Sequence, residues 1–171
     1  ELVPENDPAI TAEDAEIAPG IKGYLVRPKA EGTYPAVLVI HENRGLNPHI
    51  RDVTRRFAKE GFIAFGGDWL TGQGGTPADA DAARALFDTL KPEDALAFSK
   101  AAVDALAKIK GSNGKVGAVG FCWGGALSSH VATQVPELAV AVPFYGGAPA
   151  AEEVARIKAR LQLHYAANDE R

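Results

Sequence analysis

The chain has 171 residues, a length that predicts one domain with a buried core. Hydrophobic residues make up 46% of it and charged residues 23%, which excludes a wholly disordered chain and a collagen-like one. The net charge of −4 leaves no basic excess for a phosphate backbone, so we expect no nucleic-acid partner, and no apolar run is long enough to span a membrane.

The first part of the chain, residues 1–19, holds three prolines and six acidic residues. This composition predicts a surface arm with one short strand at most, followed by a single domain over residues 20–171. Residues 21–27 alternate weakly in polarity and then meet a proline, which favours an edge strand. The run at 36–41 is apolar and rich in β-branched residues, as is typical of a strand buried on both faces.

Helices and strands alternate along the rest of the chain, with a Gly-rich loop at 69–77. The predicted helices cover 49–60, 78–89, 91–109, 123–135 and 150–159, and the predicted strands cover 62–65, 115–121, 138–144 and 161–165. Such alternation indicates βαβ units. The sequence therefore predicts an α/β fold with a mostly parallel central sheet and helices on both faces.

The segment from Gly120 to Gly124 reads Gly-Phe-Cys-Trp-Gly between a predicted strand and a predicted helix. This is the arrangement of a nucleophile elbow, with cysteine in place of serine. We expect a strained turn at Cys122 that requires both glycines, and a helix N-terminus that favours the thiolate. The N–H of Trp123 would face a developing oxyanion. The alternative is that Cys122 is a small buried residue in a tight turn.

A polar loop follows the strand at 36–41, at the sheet edge where functional groups of α/β proteins gather. In hydrolases of this pattern this loop supplies the second oxyanion donor, and the backbone N–H of Asn43 is the candidate. Glu42 could lie against Cys122 and take its proton. Equally, Glu42 could be a solvated loop carboxylate or a helix-capping group.

Asp169 follows the last predicted strand, as expected of an acid that orients a catalytic histidine. That histidine would come after Asp169, where only two residues remain. Of the four histidines present, His49, His130 and His164 are expected at a helix start, within a helix and within a strand, and His41 is expected to pack or hydrogen-bond near the site. We therefore expect the catalytic histidine, the last strand and the last helix to lie outside this chain.

Cysteine and methionine content adds two expectations. One cysteine excludes an internal disulfide framework and a Cys-rich zinc site. The lack of methionine predicts that the chain is not an intact translation product. Residues 1–18 are polar and acidic, unlike a signal peptide, and a lone thiol fits both a cytoplasmic protein and an exported, periplasmic one.

The motifs together resemble the dienelactone hydrolase (carboxymethylenebutenolidase-like) family of the α/β-hydrolase superfamily. The similarity covers nearly the whole chain after about residue 16. The segments that carry it are GYLVRP (23–28), VLVIHENRGLNP (37–48), GGTPADADAARALFD (74–88), KVGAVGFCWGG (115–125), AVPFYGG (141–147) and HYAANDER (164–171).

The resemblance implies a role for each matching position. Cys122 corresponds to the nucleophile, Asp169 to the triad acid, and Glu42 to the carboxylate that holds the resting thiol and helps to activate it. Tyr145 stands where family members place a tyrosine near the active site. The missing partner is a histidine in a later segment, and the N-terminal arm resembles the mature start of exported members.

The implied reaction is that of a carboxylic ester hydrolase acting on a small ester or lactone, by acyl transfer to the thiolate. It requires no metal and no organic cofactor. Members that act on dienelactone bind its carboxylate with arginines, one of them in the loop after the strand at 62–65. Here that loop (67–73) has no arginine, and Arg44 is expected to be a surface residue. The hydrolase class is therefore better supported than dienelactone as the substrate.

Two further hypotheses remain open. The chain could be a catalytically inactive, truncated α/β-hydrolase-like domain that acts in binding or protein interaction. It would then expose apolar surface where the last strand and helix should pack, and would form homodimers or aggregate. Alternatively, a separate chain could supply the last segment after cleavage.

Overall fold

A computed structural model of the protein describes residues 2–168. The strands are Ile10–Ala18 (β1), Ile21–Pro28 (β2), Tyr34–Ile40 (β3), Ile63–Gly67 (β4), Ser112–Phe121 (β5), Val140–Phe144 (β6) and Arg160–Leu161 (β7). The helices are Pro48–Lys59 (α1), Ala80–Phe87 (α2), Pro92–Lys108 (α3), Trp123–Gln134 (α4) and Ala151–Val154 (α5), with a 3₁₀ turn at Thr71–Gln73. Each predicted helix and strand after residue 20 overlaps one of these elements, but α5 and β7 are much shorter than the helix predicted over 150–159 and the strand predicted over 161–165.

The seven strands form one mixed sheet in the order β1-β2-β4-β3-β5-β6-β7. The first two pairings, β1 with β2 and β2 with β4, are antiparallel, and the other four are parallel. The sheet is therefore mostly parallel, as the alternation of elements predicted. The nucleophile-elbow strand β5 lies between β3 and β6, in the parallel part.

The N-terminal edge of the sheet differs from the expectation. Strand β1 has nine residues, where one short strand at most was expected, and it pairs with β2 along its length. Strand β2 is consequently an interior strand, and the prediction of an edge strand over 21–27 was wrong. The reason lies in the pattern of β1, in which Ala12 packs against one core cluster and Ala15 and Ile17 against the other. Acidic residues between them hide this alternation in the sequence.

The core is divided by the sheet into two clusters. On one face α3 and α4 cover the sheet around Leu38 and Phe65, which are fully buried. On the other face α1 packs around Val39, with Ile50 of the helix at the centre. Helices on both faces confirm the predicted α/β architecture.

The α1 face of the sheet has an open apolar groove over β3, β5 and β6. Its volume is about 570 Å³, and its floor includes Val119, Val142 and Phe144. The rings of Phe144 and His164 stack across β6 and the chain after β7, with centroids 4.2 Å apart. Part of this face therefore has no helix over it among residues 2–168.

The N-terminal segment is tied to α1 by a charged network. Asp52 is only 2% exposed and accepts hydrogen bonds from the Val3 N–H and from Arg56, both at 2.7 Å. Burial raises the pKa of Asp52, but these hydrogen bonds and the neighbouring cations outweigh it and hold the pKa below its usual value. Asp7 pairs with Lys59 at 2.9 Å. No helix of the described chain is long and apolar enough to cross a membrane.

Candidate active site

Cys122 occupies a strained turn between β5 and α4. Its backbone has φ 56° and ψ −114°, a region that residues with a side chain rarely adopt. Its N–H donates to the carbonyl oxygen of Phe144 at 3.0 Å, and its own carbonyl accepts from Ala126 at 3.1 Å. The expected strained elbow at the N-terminus of a helix is thus confirmed.

Glycine is required on both sides of this turn. A Cβ atom on Gly120 would lie 1.9 Å from the carbonyl oxygen of Gly124, and one on Gly124 would lie 2.5 Å from that of His41. Both distances are far below any real contact, so the prediction for these two positions is confirmed. Gly146 is equally constrained, since its Cβ would lie 2.1 Å from the Ala126 nitrogen. The sequence signal for it is the Gly-Gly pair after Tyr145.

Parallel pairing brings three loops to the same edge of the sheet. Ile40 of β3 is in register with Gly120 of β5, and Phe121 of β5 is in register with Phe144 of β6. The residues that follow each strand therefore meet at the carboxyl edge. This is how Glu42 and Tyr145, far apart in sequence, come to lie at the same edge of the sheet as the cysteine.

Glu42 and Tyr145 are joined directly. The Tyr145 hydroxyl donates to the Glu42 carboxylate at 3.2 Å. The Tyr145 backbone has φ 42°, and its N–H is held by the carbonyl of His164 at 2.8 Å. Burial raises the pKa of Tyr145, and the neighbouring Glu42 carboxylate and Cys122 thiol raise it further. Tyr145 therefore stays a neutral donor to the Glu42 carboxylate, and it lines the same pocket as Cys122.

Two backbone N–H groups of the loops at this edge have no acceptor within residues 2–168. The N–H of Trp123 belongs to the first turn of α4, where no intrahelical partner exists. The N–H of Asn43 lies in the loop after β3 and likewise makes no hydrogen bond to the described chain. Both are the donors that the sequence suggested for an oxyanion hole.

A pocket of about 240 Å³ opens over the cysteine. Its walls are Cys122, Trp123, Ala126, Tyr145, Gly146, Gly147 and Tyr165. Tyr165 was not among the predicted site residues. Its hydroxyl donates to the carbonyl of Gly146 at 2.7 Å and so braces the glycine segment of the wall. Its only signal in the sequence is its place in the terminal HYAANDER segment.

None of the four histidines of the chain lines this pocket. His41 is fully buried beneath it, as expected of a packing residue, and His49 is exposed. His130 lies on α4, 3.9 Å from a glutamate of α5. His164 stacks on the far face of the sheet. The predicted acid, Asp169, lies outside the described residues.

The loop after β4 folds back on itself around Asp68. This carboxylate accepts hydrogen bonds from the Leu70 N–H and from both the N–H and the hydroxyl of Thr76, at 2.8–3.0 Å. Arg44, on the neighbouring loop, is exposed. Within residues 2–168 no three His, Cys, Asp or Glu side chains come together as a metal site would require.

Comparison with known proteins identifies the family. The profile of the dienelactone hydrolase family matches residues 21–171. Protein usf of Aquifex pyrophilus is 41% identical over 133 residues, which is 74% of this chain and 56% of that protein. A Synechocystis protein named "Putative carboxymethylenebutenolidase" is 37% identical over 135 residues, which is 74% of this chain and 54% of that protein. The chain thus spans a little over half the length of these relatives.

The fold agrees with this result. The crystal structure of a dienelactone hydrolase-like promiscuous phosphotriesterase from metagenomic libraries superposes with a TM-score of 0.79 at 29% identity. The superposition covers 95% of this chain and 71% of that one. The expected α/β-hydrolase fold is confirmed, and the chain belongs to the dienelactone hydrolase family.

Proposed function

We propose that this protein hydrolyses small esters or lactones by transferring the acyl group to the Cys122 thiolate. The observation that carries the proposal is the turn at Cys122, where a nucleophile is held in left-handed backbone at a helix N-terminus. Two backbone N–H groups without an acceptor in the described chain stand in the adjoining segments. This is the equipment that acyl transfer requires.

The first step forms a thioester. The Cys122 sulfur attacks the carbonyl carbon, and the carbonyl electron pair moves onto oxygen, where the Trp123 and Asn43 N–H groups stabilise the charge. The tetrahedral intermediate collapses by expelling the alkoxide or enolate of the substrate. The acyl group is then bonded to sulfur, and the leaving group takes up a proton.

Glu42 supplies the base for the resting thiol in this proposal. Its carboxylate accepts a hydrogen bond at 3.2 Å from the hydroxyl of Tyr145, a residue that lines the pocket over Cys122. It accepts the thiol proton as the substrate arrives, while Tyr145 keeps its own proton because its pKa is raised.

Hydrolysis of the thioester completes the cycle. A water molecule attacks the acyl carbon and returns the thiolate. The proposed base for this step is a histidine oriented by Asp169, in a Cys–His–Asp triad whose histidine lies in a segment that follows Arg171. The order nucleophile, acid, histidine along the chain is that of α/β-hydrolases.

The proposed substrates are neutral. The loop after β4 carries no arginine, its Asp68 is engaged by Thr76 and Leu70, and Arg44 is exposed. No cation of the described chain lines the pocket over Cys122. An ester or lactone without a carboxylate therefore fits the site better than dienelactone does.

The test is acylation of Cys122 by p-nitrophenyl acetate. This ester has a good leaving group, so thioester formation needs no acid catalyst and reports on the nucleophile and oxyanion donors alone. We expect a burst of p-nitrophenolate and an acetyl group on the peptide that contains Cys122, the one cysteine of the chain. Cys122→Ala should abolish both, and iodoacetamide alkylation of the native protein checks that the thiol is accessible.

A protein whose Cys122 is alkylated normally but never acetylated would contradict the proposal. It would favour the alternative of a catalytically inactive domain that acts in binding or protein interaction. Sedimentation of the same preparation would then show whether the apolar groove over β3, β5 and β6 is covered by a second copy.

A further inference from the structure

His41 is a polar side chain enclosed in an aromatic box beneath the candidate active site. It has no exposed surface. Its ring stacks on Trp123 with centroids 5.6 Å apart and meets the edge of Trp69 at 5.2 Å, and Phe87 closes a third side. Burying an imidazole among apolar rings costs free energy unless the ring forms hydrogen bonds. An apolar side chain would fill this aromatic box at lower cost, so the histidine needs a physical explanation.

The ring makes one hydrogen bond to the part of the chain that the structure describes. Its Nδ1 lies 2.5 Å from the carbonyl oxygen of Glu42, the next residue. A carbonyl can only accept, so Nδ1 carries the hydrogen and donates it. The other nitrogen, Nε2, is buried and has no partner within residues 2–168. The Glu42 carbonyl is thus the ring's hydrogen-bond partner, and Nε2 contributes no second bond within the described residues.

That carbonyl shares a peptide plane with the N–H of Asn43. In a trans peptide the C=O and N–H point in opposite directions and cannot rotate independently. A hydrogen bond that holds the Glu42 oxygen toward the interior therefore turns the Asn43 N–H outward, away from the aromatic box. This N–H has no acceptor in the described chain, as expected of a donor kept available for a ligand.

The far end of the same loop is held independently. The Leu46 N–H donates to the Thr76 hydroxyl at 2.9 Å, and Thr76 in turn donates to Asp68 at 2.8 Å. The loop between His41 and Leu46 is thus held at both ends by hydrogen bonds to side chains. Only the His41 bond acts on the peptide that carries the Asn43 N–H.

We infer that His41 is a positioning residue that fixes the peptide plane between Glu42 and Asn43 and so aims the Asn43 N–H at the oxyanion. The inference rests on the proposed function, in which Asn43 is an oxyanion donor. The same ring also stacks on Trp123, the residue that provides the other donor. One buried ring therefore hydrogen-bonds the peptide of one donor and packs against the side chain of the other.

Two substitutions separate the hydrogen bond from the packing. His41→Phe keeps an aromatic ring in the box and removes the donor. His41→Asn places an amide N–H where Nδ1 stands, one bond from Cγ, and removes the rest of the ring. Each variant is compared with the wild type in Cys122 acetylation by p-nitrophenyl acetate and in Cys122 alkylation by iodoacetamide, which develops no oxyanion.

We expect His41→Phe to slow acetylation about 10- to 100-fold, part of what complete loss of an oxyanion donor costs, with the alkylation rate unchanged. His41→Asn should acetylate much faster than His41→Phe, although it is the poorer fit to the box. A merely structural role predicts the reverse order of the two variants, or equal losses in both reactions, and either result overturns the inference. A wild-type protein that is alkylated but not acetylated overturns the proposed function, and the inference falls with it.

Discussion

Acidification should destabilise this protein through a single buried group. Burial lowers the pKa of His41 from 6.5 to about 4, against the raising effects of its hydrogen bond to Glu42 and of the Asp68 carboxylate. In the unfolded chain His41 takes up a proton at its ordinary pKa, whereas in the folded protein it stays neutral to about pH 4. Between these values the unfolded state binds one more proton, so stability falls as the pH falls.

The magnitude follows from the size of the shift. One pKa unit corresponds to about 1.4 kcal/mol, so the shift from 6.5 to about 4 represents about 3 kcal/mol in full. By pH 5 about 2 kcal/mol of this has been lost relative to pH 7.5. The His41 side chain is wholly buried, so solvent does not screen the effect. The pKa values of Asp7 and Asp52 are lowered, so their contributions are lost only below pH 4.

Urea unfolding followed by tryptophan fluorescence measures the effect, because Trp69 and Trp123 both contact the His41 ring. The free energy of unfolding is determined at pH 7.5 and pH 5 for the wild type and for His41→Phe. The other histidines and the carboxylates contribute equally to both proteins and cancel. The difference between the two proteins should shift by about 2 kcal/mol in favour of His41→Phe at the lower pH. An equal loss in both would refute the assignment of a neutral, buried His41.

Two further predictions concern the frame around the site. Gly120→Ala should lower the free energy of unfolding by about 3 kcal/mol or more and abolish Cys122 acetylation, because the new methyl group would lie 1.9 Å from a carbonyl oxygen of α4. The control in thermal melting is Gly72→Ala, which should be nearly neutral because nothing lies within 4 Å of the added Cβ. Asp52→Asn should cost about 3 kcal/mol at pH 7, because it removes the buried carboxylate that pairs with Arg55, itself 8% exposed. Asp14→Asn, which loses an exposed ion pair, should change the urea midpoint little, and equal effects of these two would contradict the burial argument.

The parts of the fold that could be predicted are those where local pattern and tertiary role coincide. A β-branched apolar run such as 36–41 makes a buried strand wherever it stands, and the glycines around Cys122 are dictated by the geometry of one turn. Strand β1 was underestimated because its apolar residues serve two different faces of the sheet. Tyr165 was missed because its role depends on a hydrogen bond to Gly146, nineteen residues earlier, and no local sequence pattern indicates such a contact.

The oxyanion donors show why a site of this kind is only partly visible in a sequence. A backbone N–H exists at nearly every residue and carries no side-chain signature. The residue types of Trp123 and Asn43 therefore do not by themselves indicate an oxyanion donor. Each is recognised through what constrains it. The Trp123 N–H is available because it begins a helix after a strained cysteine, which the glycine spacing predicts. The Asn43 N–H is available because the preceding carbonyl is held by the His41 ring, and the orientation of that ring depends on its packing against Trp123 of α4. The first constraint is local and was predicted, whereas the second is tertiary and required the structure.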